Sequence, residues 1–130
     1  MKKCINSELA PKAIGPYSHA NSLGPFLFIS GQLPASPVNG EITVGDLKAQ
    51  THQVLKNLKN VLESAGSSLE KVLKTTVFIK DISKFNEFNE VYQTYFSTQF
   101  PARSTVEVAK LPKDAEVEIE AIAYLDHGVQ

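Results

Sequence analysis

The sequence predicts an α+β fold in which two helices cover one face of a mixed β-sheet. Two segments show apolar residues at helical spacing, and short segments rich in β-branched and aromatic residues lie before, between and after them. In chain order the predicted elements are β, β, α, β, α, β, β. Because one strand separates the helices and a strand pair stands at each end, both helices are expected on the same side of one sheet.

The first two strands are predicted from residues 16–21 and 26–30. The second segment, FLFIS, is short, aromatic and β-branched, and the first is placed to run beside it as a hairpin partner. A Gly24-Pro25 pair separates the two segments and indicates a turn.

The first helix is predicted between Asp46, as its N-cap, and Gly66, as the residue that ends it. Apolar side chains between them recur every three or four positions, as expected of a helix with one buried face. They are Leu47, Val54, Leu55, Leu58, Val61, Leu62 and Ala65.

The middle of the chain predicts a buried strand followed by a second helix. Residues 72–80 (VLKTTVFIK) are dominated by β-branched and apolar side chains, and Ser83 is predicted to cap the helix that follows. An aromatic stripe on one face of this helix is more typical of a core contact than of a cofactor site. The stripe consists of Phe85, Phe88, Tyr92 and Phe96.

The last two strands, residues 104–109 and 116–124, are predicted to form a hairpin through the LPKDA turn. Alternation of side chains assigns their faces. One face of the first carries Arg103, Thr105 and Glu107, opposite Val106 and Val108. In the second, Val117, Ile119, Ala121 and Ala123 oppose Glu116, Glu118 and Glu120.

The second face of this sheet has no helix to cover it. It mixes apolar, small and charged residues, so leaving all of it in water would be unfavourable. Association of identical chains into a closed oligomer is therefore expected.

Length and charge favour one compact domain, residues 1–130, without a polyanionic partner. A chain of 130 residues has room for one hydrophobic core. Its 13 Lys and Arg against 14 Asp and Glu leave a net charge of -1, so no basic field would gather nucleic acid or a membrane surface. No apolar stretch resembles a secretory signal or a membrane span, and the lone Cys4 is ordinary in a reducing compartment. A cytoplasmic protein is expected.

Motifs for common cofactors are absent from the sequence. It has no P-loop, no dinucleotide fingerprint and no nucleophile elbow. His19, His52 and His127 are not spaced as metal ligands, so surface or hydrogen-bonded structural roles are expected for them. Chemistry without a metal or cofactor is therefore expected.

Arg103 is the only arginine of the chain, and it follows Pro101 at the start of a predicted strand. A guanidinium binds a carboxylate through two parallel hydrogen bonds, a geometry that lysine does not reproduce. Two interpretations stay open at this point. Arg103 either binds the carboxylate of a ligand or pairs at the surface with Glu107 or Glu118.

Five segments of the chain occur in the order and near the spacing of one known family. They are AIGPYSHA (13–20), FISGQLP (28–34), AQTHQVLKNLKNVLESAG (49–66), KTTVFIKD (74–81) and FPARSTVEVAKLPKDAEVEIEAIA (100–123). They cover nearly the whole chain, and the last is the most specific. The chain resembles the RidA, or YjgF-like, family of reactive-intermediate deaminases.

The resemblance implies a chorismate-mutase-like fold and a homotrimer with a cleft at each subunit boundary. It implies that Arg103 binds the substrate carboxylate and that Glu118 lies near the hydrolytic water. Other cleft positions of the family correspond to Tyr17, Ser30, Gly31, Asn89 and Thr105. Each of these also has a structural interpretation, as a turn, a strand end or a local cap. Thr105 stands where many members have cysteine, which puts any cysteine-dependent activity in doubt.

The implied activity is cofactor-independent hydrolysis of 2-iminobutanoate and 2-iminopropanoate to 2-keto acids and ammonia. Arg103 would anchor the carboxylate, and Glu118 would orient the attacking water. The main alternative is a non-catalytic protein that binds 2-keto acids or amino acids in the same cleft. A nucleic-acid enzyme is disfavoured by the nearly balanced charge.

Overall fold

The computed structural model describes residues 1–126, which contain a six-stranded β-sheet and two α-helices. The strands are β1 (Lys3–Ile5), β2 (Ala20–Leu23), β3 (Phe26–Gln32), β4 (Val72–Ile79), β5 (Ala102–Glu107) and β6 (Val117–Tyr124). The helices are α1 (Leu47–Ser64) and α2 (Phe85–Tyr95). The predicted mixed α+β fold is confirmed. His127 lies outside the described residues.

The strand order is β1-β2-β3-β6-β4-β5, and the predicted hairpin between the last two strands is wrong. β6 inserts between β3 and β4, antiparallel to both, while β5 pairs in parallel with the other edge of β4. The connection, which includes a 3-10 turn at Pro112–Asp114, therefore crosses two strand spacings, about 10 Å. A central position buries the apolar side chains of β6 more fully than an edge would.

Some strands were not predicted from the sequence or have other bounds than predicted. β2 begins at Ala20, so residues 16–19 precede this strand, and it pairs with β3 through a turn at Gly24, whose φ is +59°. β1 was not predicted, because three residues are too few to show a periodicity. β5 likewise begins at Ala102, two residues before its predicted start.

The ring of His19 holds the segment between β1 and β2 in place through hydrogen bonds, in agreement with the structural role expected for this residue. Its buried ring accepts a hydrogen bond at Nδ1 from the Ser7 backbone N–H, 2.9 Å away. Nε2 must then carry the proton, which it donates to the Pro11 carbonyl at 2.7 Å. His52, by contrast, is exposed on α1 and lies beside the Tyr95 hydroxyl.

The helix ends test three capping predictions. Asp46 caps α1 as predicted, since its Oδ1 accepts a hydrogen bond from the Ala49 N–H at 3.0 Å. Gly66 follows the last turn with a φ of +86°, a left-handed conformation that favours glycine. The predicted Ser83 cap is wrong. The Asp81 carboxylate accepts hydrogen bonds from the N–H and hydroxyl of Ser83, and a 3-10 turn leads into α2.

Both helices pack on one face of the sheet, where they form a single core with alternate residues of the strands. In the four strands β3 to β6 the opposite face is left open, with Phe26, Phe28, Val106 and Tyr124 between 36% and 49% exposed. The core residues contributed by the central strands are Leu27, Ile29, Val77, Ile79, Val117, Ile119, Ala121 and Ala123. None of the helices in residues 1–126 has the length and apolar character that crossing a bilayer requires.

Candidate functional site

The residues expected at the site fall into two groups on opposite faces of the sheet. Arg103, Thr105 and Asn89 lie on the helix side, where β5 faces α2. Glu118, Ser30, Gly31 and Tyr17 line a groove on the open side. Within one chain the arginine and the glutamate therefore do not face a common pocket.

Arg103 lies on the edge strand β5 and turns its side chain toward α2. Its Nη1 donates a hydrogen bond to Oδ1 of Asn89 at 2.9 Å, so Asn89 orients the guanidinium instead of capping the backbone. The guanidinium carbon lies between 4.8 and 5.8 Å from three ring centroids, a cation–π arrangement. The rings belong to Phe85, Phe88 and Tyr92.

No carboxylate neutralises this guanidinium among residues 1–126. The two surface pairings considered from the sequence are both absent. Glu107 accepts a hydrogen bond from the Ile82 N–H, and Glu118 is on the other face of the sheet. The guanidinium instead borders an open groove with Gln93, Phe100 and Pro101. One hydrogen bond to Asn89 leaves most of its five N–H donors available to an anion.

Thr105 lies two residues beyond Arg103 on the same face of β5. Its hydroxyl oxygen is buried and has no hydrogen-bond partner in the described part of the chain. A buried hydroxyl without a partner costs free energy, and no contact within residues 1–126 offsets that cost.

Glu118 lies on β6 with its carboxylate against the backbone of Gly31. A Cβ atom at position 31 would overlap Oε2 of Glu118 and lie only 2.8 Å from its Cδ. Glycine is therefore required at this position for the carboxylate to occupy its site. Burial raises the pKa of Glu118 above its usual range, and the negative charge of Glu120 raises it further.

Ser30 and Gly31 form an irregularity in β3 opposite this carboxylate. Between the pairs Ile29–Ala121 and Gln32–Ile119, two residues of β3 oppose one residue of β6, which is the pattern of a β-bulge. The Ser30 hydroxyl donates to the Ser18 carbonyl at 2.7 Å. Both residues therefore lie inside a strand, and neither ends it or forms a turn.

Tyr17 borders the same groove from the segment before β2. Its hydroxyl accepts a hydrogen bond from the Ile14 N–H at 3.3 Å, and its side chain stays partly exposed. Apolar side chains that the sequence did not single out complete the groove. They are Ile14, Leu33 and Pro112, and Glu120 also lines the groove.

The contact between the Arg103 guanidinium and the aromatic rings of α2 was not predicted from the sequence. Phe88, Tyr92 and Phe96 are buried as the aromatic stripe predicts, but Tyr92 and Phe88 also contact the guanidinium. Helical spacing alone could not reveal this second contact, since it depends on β5 lying beneath α2. Nowhere in residues 1–126 do three His, Cys, Asp or Glu side chains cluster as metal ligands do.

Comparison with known proteins relates this geometry to one family. Residues 7–125 match the model of the family described as Endoribonuclease L-PSP. A RutC family protein of Pyrococcus horikoshii is 57% identical over 124 residues, which cover 95% of this chain and 98% of that protein. A 2-iminobutanoate/2-iminopropanoate deaminase of Escherichia coli is 48% identical over 126 residues, covering 95% of this chain and 98% of that protein.

Solved structures agree with the sequence relatives. The crystal structure of E. coli TdcF with bound serine superposes with a TM-score of 0.89 and is 45% identical, covering 94% of this chain and 98% of that one. Fold and sequence thus match over almost the same residues. The chain belongs to the Endoribonuclease L-PSP family, the family of the RidA (YjgF-like) and RutC proteins.

Proposed function

We propose that this protein hydrolyses 2-imino acids, with 2-iminobutanoate and 2-iminopropanoate as substrates and 2-keto acids and ammonia as products. The supporting observation is a pair of groups suited to this reaction: an arginine with no carboxylate partner within residues 1–126 and a glutamate whose pKa is raised by burial. The identity to the E. coli deaminase supports the same reaction. The proposed reaction uses no metal or cofactor.

Arg103 binds the substrate carboxylate through the N–H groups not used by Asn89. This holds the imine carbon beside a water molecule, so that attack no longer depends on a random collision. Glu118 accepts a proton from that water as its oxygen bonds to the carbon. Glu118 passes this proton to the nitrogen, which gives a carbinolamine. Glu118 then accepts the hydroxyl proton of the carbinolamine and transfers it to the nitrogen as the C–N bond breaks, so that ammonia leaves and the oxygen becomes the carbonyl of the keto acid. Free imines already hydrolyse in water, so the barrier to be lowered is modest.

We propose that the two groups meet only between subunits of a homotrimer. Arg103, Asn89 and Thr105 of one subunit then face Tyr17, Ser30, Gly31 and Glu118 of its neighbour. Their separation by the sheet in a single chain supports this, since neither group of residues alone completes the proposed site. The exposed apolar side chains of the open face, among them Phe26 and Phe28, provide surface for the contact.

Mixing two inactive variants tests both the reaction and the shared site. Arg103→Ala and Glu118→Gln chains are refolded together, and loss of imine generated by a dehydratase is followed. In random trimers, about a quarter of the boundaries join an intact arginine to an intact glutamate, and these should recover activity. Sedimentation should show a trimer.

The control mixes Arg103→Ala chains with chains carrying both substitutions, a combination that contains no intact arginine and should stay inactive. Recovery in neither mixture, despite an active wild type, contradicts the shared site. A wild type that leaves the imine decay rate unchanged contradicts the reaction itself.

A non-catalytic role in binding small carboxylates is the second candidate. The observation that favours it is the relative E. coli TdcF, whose solved structure contains serine, an amino acid. If this role is correct, the wild type binds 2-oxobutanoate in calorimetry but does not accelerate imine loss. The family description also names an endoribonuclease, and cleavage of RNA by the wild type would support that class instead.

The pH dependence of the reaction should report the ionisation of Glu118. Since the base must be ionised, kcat/KM should fall as the pH drops through its pKa, which burial and Glu120 raise. Glu120→Gln removes the second cause, so the acid limb should move to lower pH. Profiles corrected for spontaneous hydrolysis measure the shift. Glu116→Gln, which changes another carboxylate of this segment, should leave the limb in place, and an equal shift in both variants would refute the assignment.

A further inference from the structure

The guanidinium of Arg103 lies on aromatic rings from one face of α2, and these rings differ in how firmly the surrounding structure holds them. The rings of Phe85, Phe88 and Tyr92 lie 5.2, 5.8 and 4.8 Å from the guanidinium carbon. The two phenylalanines are held by packing alone. Tyr92 lies nearest of the three and is the only one with a polar atom at its far end.

That polar atom is tied to the sheet. The Tyr92 hydroxyl lies 2.7 Å from Oγ1 of Thr75, a fully buried residue of β4. Thr75 is also the register partner of Arg103 across the parallel β4–β5 pair. Thr75, which lies beside Arg103 in the sheet, therefore also holds the Tyr92 ring on which the guanidinium lies.

The Tyr92 ring is further held within the aromatic stripe. Its centroid lies 5.4 Å from that of Phe88 and 4.7 Å from that of Phe96. The ring therefore has neighbours on both sides and a hydrogen bond at its end, and these contacts restrict its orientation. A fixed ring leaves the guanidinium few orientations, and Asn89 already occupies one of its N–H groups.

We infer that Tyr92, tied to Thr75, is a positioning residue that holds Arg103 in the orientation that receives a carboxylate. This deepens the proposed function and rests on it for the identity of the ligand. An arginine side chain has many rotamers, and ordering one of them on binding weakens affinity. A guanidinium ordered in advance on a fixed ring avoids much of this loss.

The unliganded protein provides the first test, because Arg103 is the only arginine in the chain. Protein labelled with ¹⁵N-arginine gives one side-chain Nε–H signal, so no assignment is needed. In the wild type this proton should be displaced from its free-arginine shift by the ring currents and should exchange slowly with water. Tyr92→Leu should move the signal toward free arginine and speed its exchange.

Phe96→Leu is the matched control for the loss of a ring. Phe96 belongs to the same stripe and is as buried as Tyr92, but it has no cation–π contact with Arg103. Leucine at position 96 removes one neighbour of the Tyr92 ring but leaves that ring, its hydrogen bond to Thr75 and its contact with Arg103 in place, so the signal should move less than in Tyr92→Leu. Thermal unfolding checks the folding of both variants. Equal changes in the two variants overturn the inference, since they would report only a loosened core.

Kinetics and binding provide the second test. Tyr92→Leu should raise KM for the imino acid, and Kd for 2-oxobutanoate, by about tenfold while kcat changes little. Tyr92→Phe keeps the ring and loses only the hydroxyl, so it should recover much of this loss. Thr75→Val removes the hydrogen bond to Thr75 but keeps the Tyr92 hydroxyl, which also interacts with Arg103, so it should be impaired no more than Tyr92→Phe. A fall in kcat with unchanged KM overturns the inference.

A double-mutant cycle connects the effect to Arg103. If Tyr92 acts through the guanidinium, Tyr92→Leu should have little further effect in an Arg103→Lys background, and additive losses overturn the inference. The NMR test needs neither substrate nor turnover. A wild type that shows the displaced arginine signal but hydrolyses no imine therefore rejects the proposed function while leaving the positioning of Arg103 supported.

Discussion

Replacing Arg103 by lysine is expected to lower kcat/KM for 2-imino acids by about 100-fold, almost all of it through KM. Lysine keeps the positive charge but presents one ammonium group in place of a planar fork. It also loses the hydrogen bond to Asn89 and the stacking on three rings that orient the wild-type side chain. Steady-state hydrolysis of 2-iminobutanoate gives kcat and KM separately.

Lys56→Ala is the control for a general effect of charge. Lys56 is exposed on α1 and lines neither the groove at Arg103 nor the groove at Glu118, so its loss should leave kcat/KM unchanged. Arg103→Ala should be at least as impaired as Arg103→Lys. Full activity in the lysine variant would mean that a point charge suffices and that the planar fork has no role in binding.

Glu118→Gln is expected to lower kcat by about 100-fold to 10,000-fold, the usual contribution of a positioned general base. Glutamine has nearly the same shape, so the side chain still fits against Gly31, but it accepts no proton. Because Arg103 and its neighbours are unchanged, binding of 2-oxobutanoate should persist. Single-turnover hydrolysis and calorimetry measure the two effects independently.

Glu116→Gln is the matched control on the same segment of chain. Its amide N–H donates to Gln50, and residue 116 does not line the groove beside Gly31, so its substitution should preserve turnover. Loss of 2-oxobutanoate binding in Glu118→Gln would contradict the division of roles. Unchanged kcat in Glu118→Gln would remove the glutamate from the mechanism.

Local patterns predicted most of the elements. Helix α1 lies between Asp46 and Gly66 as expected, because capping groups and a buried stripe act within a few residues of one another. The alternation in β6 likewise separated Glu118 from the core. Two of the errors concern short or local features: β1 was too short to recognise, and Ser83 does not cap α2 because it lies in a 3-10 turn that Asp81 caps.

The order of the strands in the sheet could not be predicted from such local patterns. The turn residues at 111–115 indicate that the chain reverses, but they do not say which strand the returning chain will join. Strand pairing is decided by contacts between distant residues, here β6 with β3 and β4. The bulge at Ser30 and Gly31 follows from the same pairing, although a glycine inside a strand pattern is a recognisable signal for one.

By itself, the sequence determined most of the secondary structure, the faces of the last two strands, the rarity of Arg103 and the family to which the chain belongs. The tertiary structure alone decided that Arg103 lies on aromatic rings of α2 and that Glu118 lies against Gly31 on the opposite face. The physical reason is the range of the interactions. Periodicity and capping act between near neighbours in the chain, whereas a binding site is built from side chains that only the packing of distant segments brings together.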